Sequence, residues 1–228
     1  EGLIIDASKN LNRILEIDHE KGEARVEPGL VLDQLNAQLK RHGLFFPVDV
    51  STSSRATLGG MTGNNSCGAR SIRYGKMVDN VLGVEALLQN GEKIQFGEVD
   101  PKSLNGKHQS TRDHLLQQLF QIGIREADEV RQRFPEVQRR VGGYNIDELI
   151  PPDHGVLNPA RLLVGSEGTL AFSTSIHLKL QPIPTHKVLG VCHFPSFYEA
   201  MDSTQHLVTL NPDCLLYTSD AADECSGV

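Results

Sequence analysis

A stretch rich in glycine and small polar residues, at positions 56–68, constrains this chain more than any other part of its sequence. Glycine adds a backbone entropy cost and no side chain to bury, so a packed helix or strand gains nothing from such a composition. The stretch instead offers bare backbone N–H groups that a ligand can approach closely, as in loops that cradle phosphate groups. The alternative is a glycine-rich turn without a ligand, and the rest of the chain has to decide between the two.

The composition predicts a soluble globular protein. Of the 228 residues, 39% are hydrophobic and 22% are charged, and no apolar run approaches the ~20 residues of a membrane span. The start of the chain does not resemble a signal peptide. A formal net charge of −7 argues against a nucleic-acid binder, because no basic surplus is available to neutralise phosphates. The four cysteines have no metal-ligand spacing, which favours reduced thiols in a cytoplasmic protein and no metal site.

The amino-terminal part predicts strands followed by a helix. Short segments at 3–6, 14–17 and 24–27 have apolar or alternating patterns typical of strands, and the third ends at a Pro-Gly turn at 28–29. A helix that ends at Gly43 follows. Its apolar positions are Val31, Leu32, Leu35 and Leu39. Strand, turn and helix in this order indicate an α/β unit.

Beyond the glycine stretch the pattern changes to antiparallel pairing. The segments at 81–88 and 93–96 are predicted to pair as a hairpin through Asn90-Gly91, because both turn residues tolerate positive φ. A second compact glycine motif at 165–169 precedes a cleanly alternating strand at 172–180. Two glycine-rich loops flanked by strands fit one large, extended cofactor better than a mononucleotide.

The remaining segments are less regular. We predict helices beginning at Thr111 and spanning 126–134, a strand at 188–191 and a helix at 197–208. The loop at 151–155 contains His154, which we interpret as structural. The local basic cluster is either a solvated helix face or a docking surface for an acidic partner or for the rest of the polypeptide. Its members are Arg131, Arg133, Arg139 and Arg140.

Common catalytic signatures are absent from the sequence. It contains no G-x-x-x-x-G-K-[ST] phosphate loop and no G-x-S-x-G elbow, and Gly60-Met61-Thr62-Gly63 does not fit G-x-G-x-x-G. The nine histidines are scattered singly, so no catalytic triad can be argued from spacing.

Several short motifs are each weak signals, but their order and spacing together are typical of one protein family. They are Val26-Glu27-Pro28-Gly29, Pro47-Val48-Asp49, Ala56-Thr57-Leu58-Gly59-Gly60-Met61, Arg73-Tyr74-Gly75, Asp79-Asn80-Val81-Leu82-Gly83-Val84-Glu85, Asn90-Gly91-Glu92 and Gly165-Ser166-Glu167-Gly168-Thr169-Leu170. With them, residues 3–210 resemble the FAD-binding (PCMH-type) domain of the vanillyl-alcohol-oxidase superfamily, nearest to the D-lactate, glycolate and D-2-hydroxyglutarate dehydrogenases. The segments at 64–70 and 140–145 are similar to those of large proteins fused to an iron–sulfur module.

The resemblance implies that FAD is bound mostly through backbone contacts. The segment from Thr57 to Gly68 would run along the pyrophosphate and the flavin, Pro47 and Asp49 would border the cofactor, and the 167–169 segment would close it. The implied cofactor-binding residues are Pro47, Asp49, Thr57, Gly59, Gly60, Thr62, Gly63, Asn64, Asn65, Ser66, Cys67, Gly68, Glu167, Gly168 and Thr169. Cys67 is either a small packed thiol or a redox group, and nothing in the nearby sequence is placed to lower its pKa.

The implied reaction is oxidation of a small D-2-hydroxy acid, with hydride transfer to flavin N5 and electrons passed to an iron–sulfur module, a quinone or a cytochrome. The catalytic base stays unassigned, because in the family it comes from a later substrate domain; Arg73 and His177 are guesses. Alternatives are an FAD-linked alcohol or sugar oxidase of the same superfamily, and a non-catalytic nucleotide-binding or regulatory module. The location would be cytoplasmic or membrane-peripheral.

The predicted fold class is α+β. An FAD-binding subdomain at 1–76, lacking an amino-terminal pyrophosphate loop, is followed by a mainly antiparallel second subdomain at 77–184. Residues 185–214 would begin a substrate domain, and 215–228 are interpreted as a non-native tail. The chain starts without methionine, so we expect a fragment that binds FAD poorly and is inactive by itself.

Overall fold

The computed structural model describes residues 5–105, 110–137, 139–152 and 155–215. Within these ranges the strands are β1 (Ile14–Asp18), β2 (Glu23–Val26), β3 (Leu44–Phe45), β4 (Val81–Leu87), β5 (Lys93–Gly97), β6 (Phe172–Lys179) and β7 (Gln181–Pro182). The α-helices are α1 (Leu32–Leu39), α2 (Leu58–Gly63), α3 (Ser71–Tyr74), α4 (Met77–Asn80), α5 (Thr111–Arg133), α6 (Ala160–Leu163) and α7 (Phe197–Thr209). The 3-10 helices are Lys40–His42, Pro101–Asn105 and Ile146–Leu149.

An antiparallel sheet with the strand order β1-β2-β6-β4-β5 organises the described residues. Its central strand β6 places Ile176 opposite Val26 on one side and Val84 on the other, and all three side chains are fully buried. The alternation predicted for β6 therefore continues across its neighbours as one apolar face. A smaller pair, β3 with β7, connects the segment after α1 to the end of β6.

The mixture of helices and antiparallel strands confirms the predicted α+β class. Helix α1 buries Leu32, Leu35 and Leu39 and ends through a 3-10 turn at Gly43, which has φ +69° as a helix stop requires. Asn90-Gly91 connects β4 to β5 as predicted. Strands from both sides of residue 76 pair in the same sheet, and the subdomain boundary there stays a prediction.

Two predictions about the later segments are wrong. Instead of two helices, α5 is one continuous helix from Ser110, whose hydroxyl accepts from the Asp113 N–H, to residue 133. Its Gly123 lies so close to the Leu149 carbonyl that a Cβ would overlap it, so the helix interior uses glycine for close packing. The segment at 188–191 forms no strand, since it has no neighbouring strand among the described residues and its apolar side chains are exposed.

The helix predicted at 197–208 is present as α7, capped by the Ser196 hydroxyl, and it buries none of its side chains within the described structure. None of the helices that the structure describes combines the length and apolar character required to span a membrane. The predicted strand at 3–6 is outside the described residues over its first half, as are His154 and the tail from 216 onwards.

Candidate functional site

A cavity of about 870 Å³ opens beside the glycine stretch. It is lined by Asp33, Asp49, Val50, Ser51, Thr52, Ser53, Ser54, Ala56, Thr57, Gly60, Met61, Asn64, Ser66, Cys67 and Gly68. The lining is dominated by small, hydroxyl and amide side chains, and among the described residues it contains two carboxylates but no lysine or arginine. Its volume falls within the ~300–1,000 Å³ range of small-molecule sites.

The glycine stretch is not the open loop that its composition predicts, because its first half forms helix α2. Thr57 caps this helix, its Oγ1 accepting the Gly60 N–H at 3.3 Å. Leu58 and Met61 are buried on the inner face and stabilise the short helix by packing, which offsets the entropy cost of its three glycines. Helical backbone therefore supplies one wall of the cavity.

The Pro-Gly turn after β2 fixes the position of α2. The Gly59 N–H donates to the Pro28 carbonyl at 2.7 Å, and the Leu58 N–H donates to the Leu30 carbonyl at 2.8 Å. A Cβ on Gly59 would lie 2.6 Å from the Pro28 Cβ, so only glycine permits this approach. Gly59 is thereby explained by packing against the turn.

The buried carboxylate of Glu27 holds the same turn from its other side. It accepts from the backbone N–H of Arg13 at 2.8 Å and from the Arg13 guanidinium at 2.8 and 3.2 Å. The hydrogen bonds and charge of Arg13 lower the Glu27 pKa below its ordinary value, against the opposing effect of burial. Strand β1 and the turn beneath α2 are tied together by this pair.

Gly60 is the glycine of α2 that faces outward to the cavity. Among the described residues, the single atom that a Cβ there would approach within 4 Å is Thr57 Oγ1, at 3.2 Å. The backbone at Gly60 is thus accessible to a ligand at close range, and a large side chain would occupy cavity volume.

The far side of the cavity is formed by a close contact between Gly68 and Asp49. A Cβ on Gly68 would overlap the backbone carbonyl and the carboxylate of Asp49. The Asp49 Oδ1 accepts the Arg70 N–H at 3.1 Å, and the Gly68 N–H donates to the Ser71 hydroxyl at 3.0 Å. These contacts hold the 49–54 segment beside the end of the glycine stretch.

The second glycine motif meets the carboxyl end of α2. The Gly165 N–H donates to the Thr62 carbonyl at 2.8 Å, and the Glu167 N–H donates to the Gly63 carbonyl at 3.0 Å. Glu167 has φ +52° and is exposed together with Gly168 and Thr169. The two glycine-rich segments converge as expected, but the 167–169 segment lies beyond the lining of the cavity.

Asn65 lies fully buried between two lining residues, in the left-handed conformation with φ +50°. Its Oδ1 accepts the Val78 N–H at 3.1 Å. Its Nδ2 has no hydrogen-bond acceptor among the described residues. A buried donor without a partner costs stability, and such atoms are rare in folded proteins.

The structure thus separates the expected cofactor residues into two groups. Those that line the cavity are Asp49, Thr57, Gly60, Asn64, Ser66, Cys67 and Gly68. Those that do not line it are Pro47, Gly59, Thr62, Gly63, Asn65, Glu167, Gly168 and Thr169. Pro47 is buried, and Thr62 uses its hydroxyl within α2, donating to the Leu58 carbonyl at 2.7 Å. Sequence reasoning missed Asp33 and the hydroxyl run at 51–54, whose signal was its position directly before the glycine stretch.

Cys67 is a half-buried free thiol on the cavity wall. Within the part of the chain that the structure describes, no group of three or more His, Cys, Asp or Glu side chains is arranged to hold a metal ion.

Comparison with known proteins identifies a domain over this same region. Residues 1–97 match a protein family described as an FAD binding domain. The whole lining of the cavity, from Asp33 to Gly68, falls inside the matched residues.

Two curated relatives align with most of the chain. D-2-hydroxyglutarate dehydrogenase of Escherichia coli (strain K12) is 36% identical over 210 residues, which cover 91% of this chain and 21% of that protein. D-2-hydroxyglutarate dehydrogenase of Pantoea ananatis (strain AJ13355) is 40% identical over 206 residues, which cover 89% of this chain and 20% of that protein. The chain therefore spans about a fifth of the length of these relatives.

A solved structure of alkyldihydroxyacetonephosphate synthase has the same fold. It aligns with a TM-score of 0.54 at 18% sequence identity, covering 90% of this chain and 28% of that one. At this identity the likeness supports the fold alone.

Proposed function

We propose, from the match of residues 1–97 to a family described as an FAD binding domain, that the chain forms the FAD-binding part of a flavoprotein dehydrogenase that oxidises a D-2-hydroxy acid. The observation that carries the proposal is the cavity, whose lining lies wholly within the matched residues. The names of the two relatives favour D-2-hydroxyglutarate as the substrate. D-Lactate and glycolate are the other members of the substrate class that the sequence motifs indicate.

The residues present fit FAD. Gly60 leaves one face of α2 without a side chain, so that a flat ring or a phosphate can reach the backbone there. Thr57, Asn64 and Ser66 supply hydroxyl and amide groups that can donate to or accept from the cofactor. Asn65, between Asn64 and Ser66 in sequence, keeps its unpartnered Nδ2 buried and does not line the cavity.

When bound, FAD supplies the acceptor for the hydride removed from the hydroxyl-bearing carbon. The contribution of this chain is to bind and orient: α2 and the 49–54 segment form the two walls, and the 167–169 loop braces the end of α2. We propose the full set of fifteen residues named from the sequence as the cofactor region, with the seven lining residues in direct contact.

No residue of the described chain is assigned here as the catalytic base. Arg73 pairs with Asp213, and His177 lies in the sheet with its Nε2 3.0 Å from the Glu23 carboxylate, outside the cavity lining. We propose that the base and the groups that bind the substrate carboxylate come from parts of the relatives' length that this chain does not span.

For the fate of the electrons, we propose an iron–sulfur module, a quinone or a cytochrome as the acceptor, in a cytoplasmic or membrane-peripheral protein. The motifs at 64–70 and 140–145 favour the fused iron–sulfur form. Of the cysteines that the structure describes, Cys67 and Cys192 are free thiols, which agrees with a reducing compartment.

The domain division is also a proposal: subdomains at 1–76 and 77–184, a substrate domain that begins at 185–214, and a non-native tail at 215–228. The exposed apolar side chains around α7 support a segment that packs against further protein.

The test is the spectrum of the purified full-length protein. We expect flavin absorbance that bleaches anaerobically on addition of D-2-hydroxyglutarate, with D-lactate and glycolate as comparison substrates. Bleaching by a simple alcohol or a sugar instead would favour the oxidase alternative. A colourless protein that cannot be reconstituted with FAD would end the flavoenzyme proposal and leave the nucleotide-binding module.

A further inference from the structure

An arginine from a distant part of the chain contacts the edge of the cavity. The guanidinium Nη2 of Arg139 donates to the carbonyl oxygen of Gly68 at 2.9 Å, although the two residues are 71 positions apart. Gly68 is itself a lining residue. Arg139 is exposed, does not itself line the cavity, and has further N–H donors besides the one that binds Gly68.

The charged side chains in the cavity lining are both acidic. Both of its charged lining residues, Asp33 and Asp49, are carboxylates, and the chain as a whole has a formal net charge of −7. The ligands of the proposed function are anions: FAD has two phosphates, and a 2-hydroxy acid has at least one carboxylate. The charges of Asp33 and Asp49 would repel an anion in the cavity, and a nearby positive charge would reduce this repulsion.

Arg139 differs from its neighbours in the basic cluster because its charge is not neutralised by an acid. Arg131 pairs with Asp128, and Arg133 pairs with Glu129, both on the exposed face of α5. Arg140 pairs with Asp147 at 2.5 Å. Among the described residues, no carboxylate lies within ion-pair distance of Arg139, whose recorded partner is the neutral Gly68 carbonyl.

The chain directly after Arg139 is anchored by contacts of Arg140 and Asn145. The Arg140 guanidinium lies 4.5 Å from the centre of the Phe134 ring and hydrogen-bonds the Asp147 carboxylate. The buried Asn145 amide donates to the Val164 carbonyl at 2.8 Å, beside the second glycine motif. These contacts anchor the chain on the carboxyl side of Arg139, and the hydrogen bond to Gly68 holds the Arg139 guanidinium beside a residue of the cavity lining.

We propose that Arg139 binds an oxyanion, a carboxylate or a phosphate, of the ligand that occupies the cavity. The inference rests on the proposed function and adds to it the cation that the lining lacks. Arginine suits this role because its planar fork of donors matches carboxylate and phosphate geometry.

The test uses the full-length protein with Arg139→Gln, Arg139→Lys and the matched control Arg133→Gln. The dissociation constant of FAD is measured by titrating the FAD-free protein, and KM and kcat are measured for D-2-hydroxyglutarate. We expect Arg139→Gln to raise either the dissociation constant of FAD or the KM for D-2-hydroxyglutarate about tenfold or more. Arg139→Lys should raise the same constant less, and Arg133→Gln should leave both constants unchanged. A weaker FAD identifies a phosphate as the anion, and a raised KM with unchanged FAD affinity identifies the substrate carboxylate.

The inference is overturned if Arg139→Gln leaves the FAD dissociation constant and the KM within twofold of the wild type. It is also overturned if Arg133→Gln raises either constant as much as Arg139→Gln does. A wild-type protein that binds FAD and reacts, combined with a silent Arg139→Gln, rejects the role of Arg139 alone. A wild-type protein that takes up no FAD and oxidises no hydroxy acid rejects the proposed function, and Arg139 with it.

Discussion

The backbone N–H of Glu167 donates to the carbonyl oxygen of Gly63 at 3.0 Å, which joins the second glycine motif to the last residue of α2. A Cβ on Gly63 would lie 3.7 Å from the Glu167 Cα, an ordinary van der Waals contact, so this approach does not itself require glycine. The outer end of the helix that walls the cavity is therefore braced by a loop encoded far downstream. Substitutions in the 165–169 motif are therefore expected to alter the shape of the cavity by displacing α2.

Replacing Gly60 by leucine should block the cavity without unfolding the chain. The position is exposed and a Cβ would meet only the Thr57 hydroxyl, so Gly60→Ala should fold and retain FAD, whereas the leucine side chain would extend into the cofactor volume. We expect FAD affinity to fall at least about tenfold in Gly60→Leu, measured by flavin titration, with unchanged far-ultraviolet circular dichroism. Equal flavin content in the leucine variant and the wild type would contradict the placement of the cofactor.

Gly59→Ala should behave in the opposite way, as a stability variant. Its new methyl group would lie 2.6 Å from the Pro28 Cβ, and the turn cannot move without breaking the hydrogen bonds at Pro28 and Leu30. We expect the free energy of unfolding to fall by about 1–3 kcal/mol, measured by urea denaturation. Gly60→Ala is the matched control. A neutral Gly59→Ala would show that α2 is not seated against the turn.

The Glu27–Arg13 pair should make stability depend on pH in the acid range. Because the folded-state pKa of Glu27 is lowered, its contribution is fully present above the ordinary glutamate pKa and is lost as the pH falls through the lowered value. We expect Glu27→Gln to lower the free energy of unfolding by about 1 kcal/mol at neutral pH. The difference from the wild type should shrink as the pH falls below the ordinary glutamate pKa, and disappear once the carboxyl is protonated in the folded state as well.

Urea denaturation of both proteins across this range measures the effect. A difference that stays constant from neutral to acid pH would mean that Glu27 acts through its shape and not through its charge. The exposed Lys21–Asp18 pair offers a comparison, since Asp18→Asn should have a smaller effect in the same assay.

The thiol of Cys67 should report on occupancy of the cavity. It is half-buried on the cavity wall, whereas Cys192 is exposed and is not a lining residue. We expect alkylation of Cys67 by iodoacetamide to slow at least about fivefold when FAD is bound, as the cofactor covers the wall. Peptide mass spectrometry distinguishes the cysteines, and Cys192 should react equally with and without FAD. Equal alkylation of Cys67 in both states would place the cofactor elsewhere.

Local signals in the sequence predicted most of the sheet. The alternation along β6 and the Asn90-Gly91 turn each depend on short-range chemistry, and both were confirmed. Helix α2 was missed because intrinsic propensity disfavours three glycines in six residues, while burial of Leu58 and the cap at Thr57 reverse that preference. The absence of a strand at 188–191 could not be predicted from an apolar run, since a strand also needs a partner.

The site could be predicted only in part for a similar reason. Composition identified the residues of the glycine stretch. It did not show which glycines allow close packing against other backbone and which leave space for a ligand in the cavity. Gly59 and Gly60 are adjacent and chemically identical, and only their neighbours in space distinguish them. Arg139 had no sequence signal that associated it with Gly68, because that contact depends on the path of the chain after α5.

The central position of β6 sets the order in which this protein can fold during synthesis. Strands β2 and β4 both lie within the matched residues 1–97, yet each forms a sheet edge until β6 is inserted between them. Residues up to 179 must therefore be synthesised before the five-stranded sheet can form. Until then, the unpaired edges of β2 and β4 are exposed and can pair with other strands. Exposure of these two edges is expected to end when β6 pairs with β2 and β4.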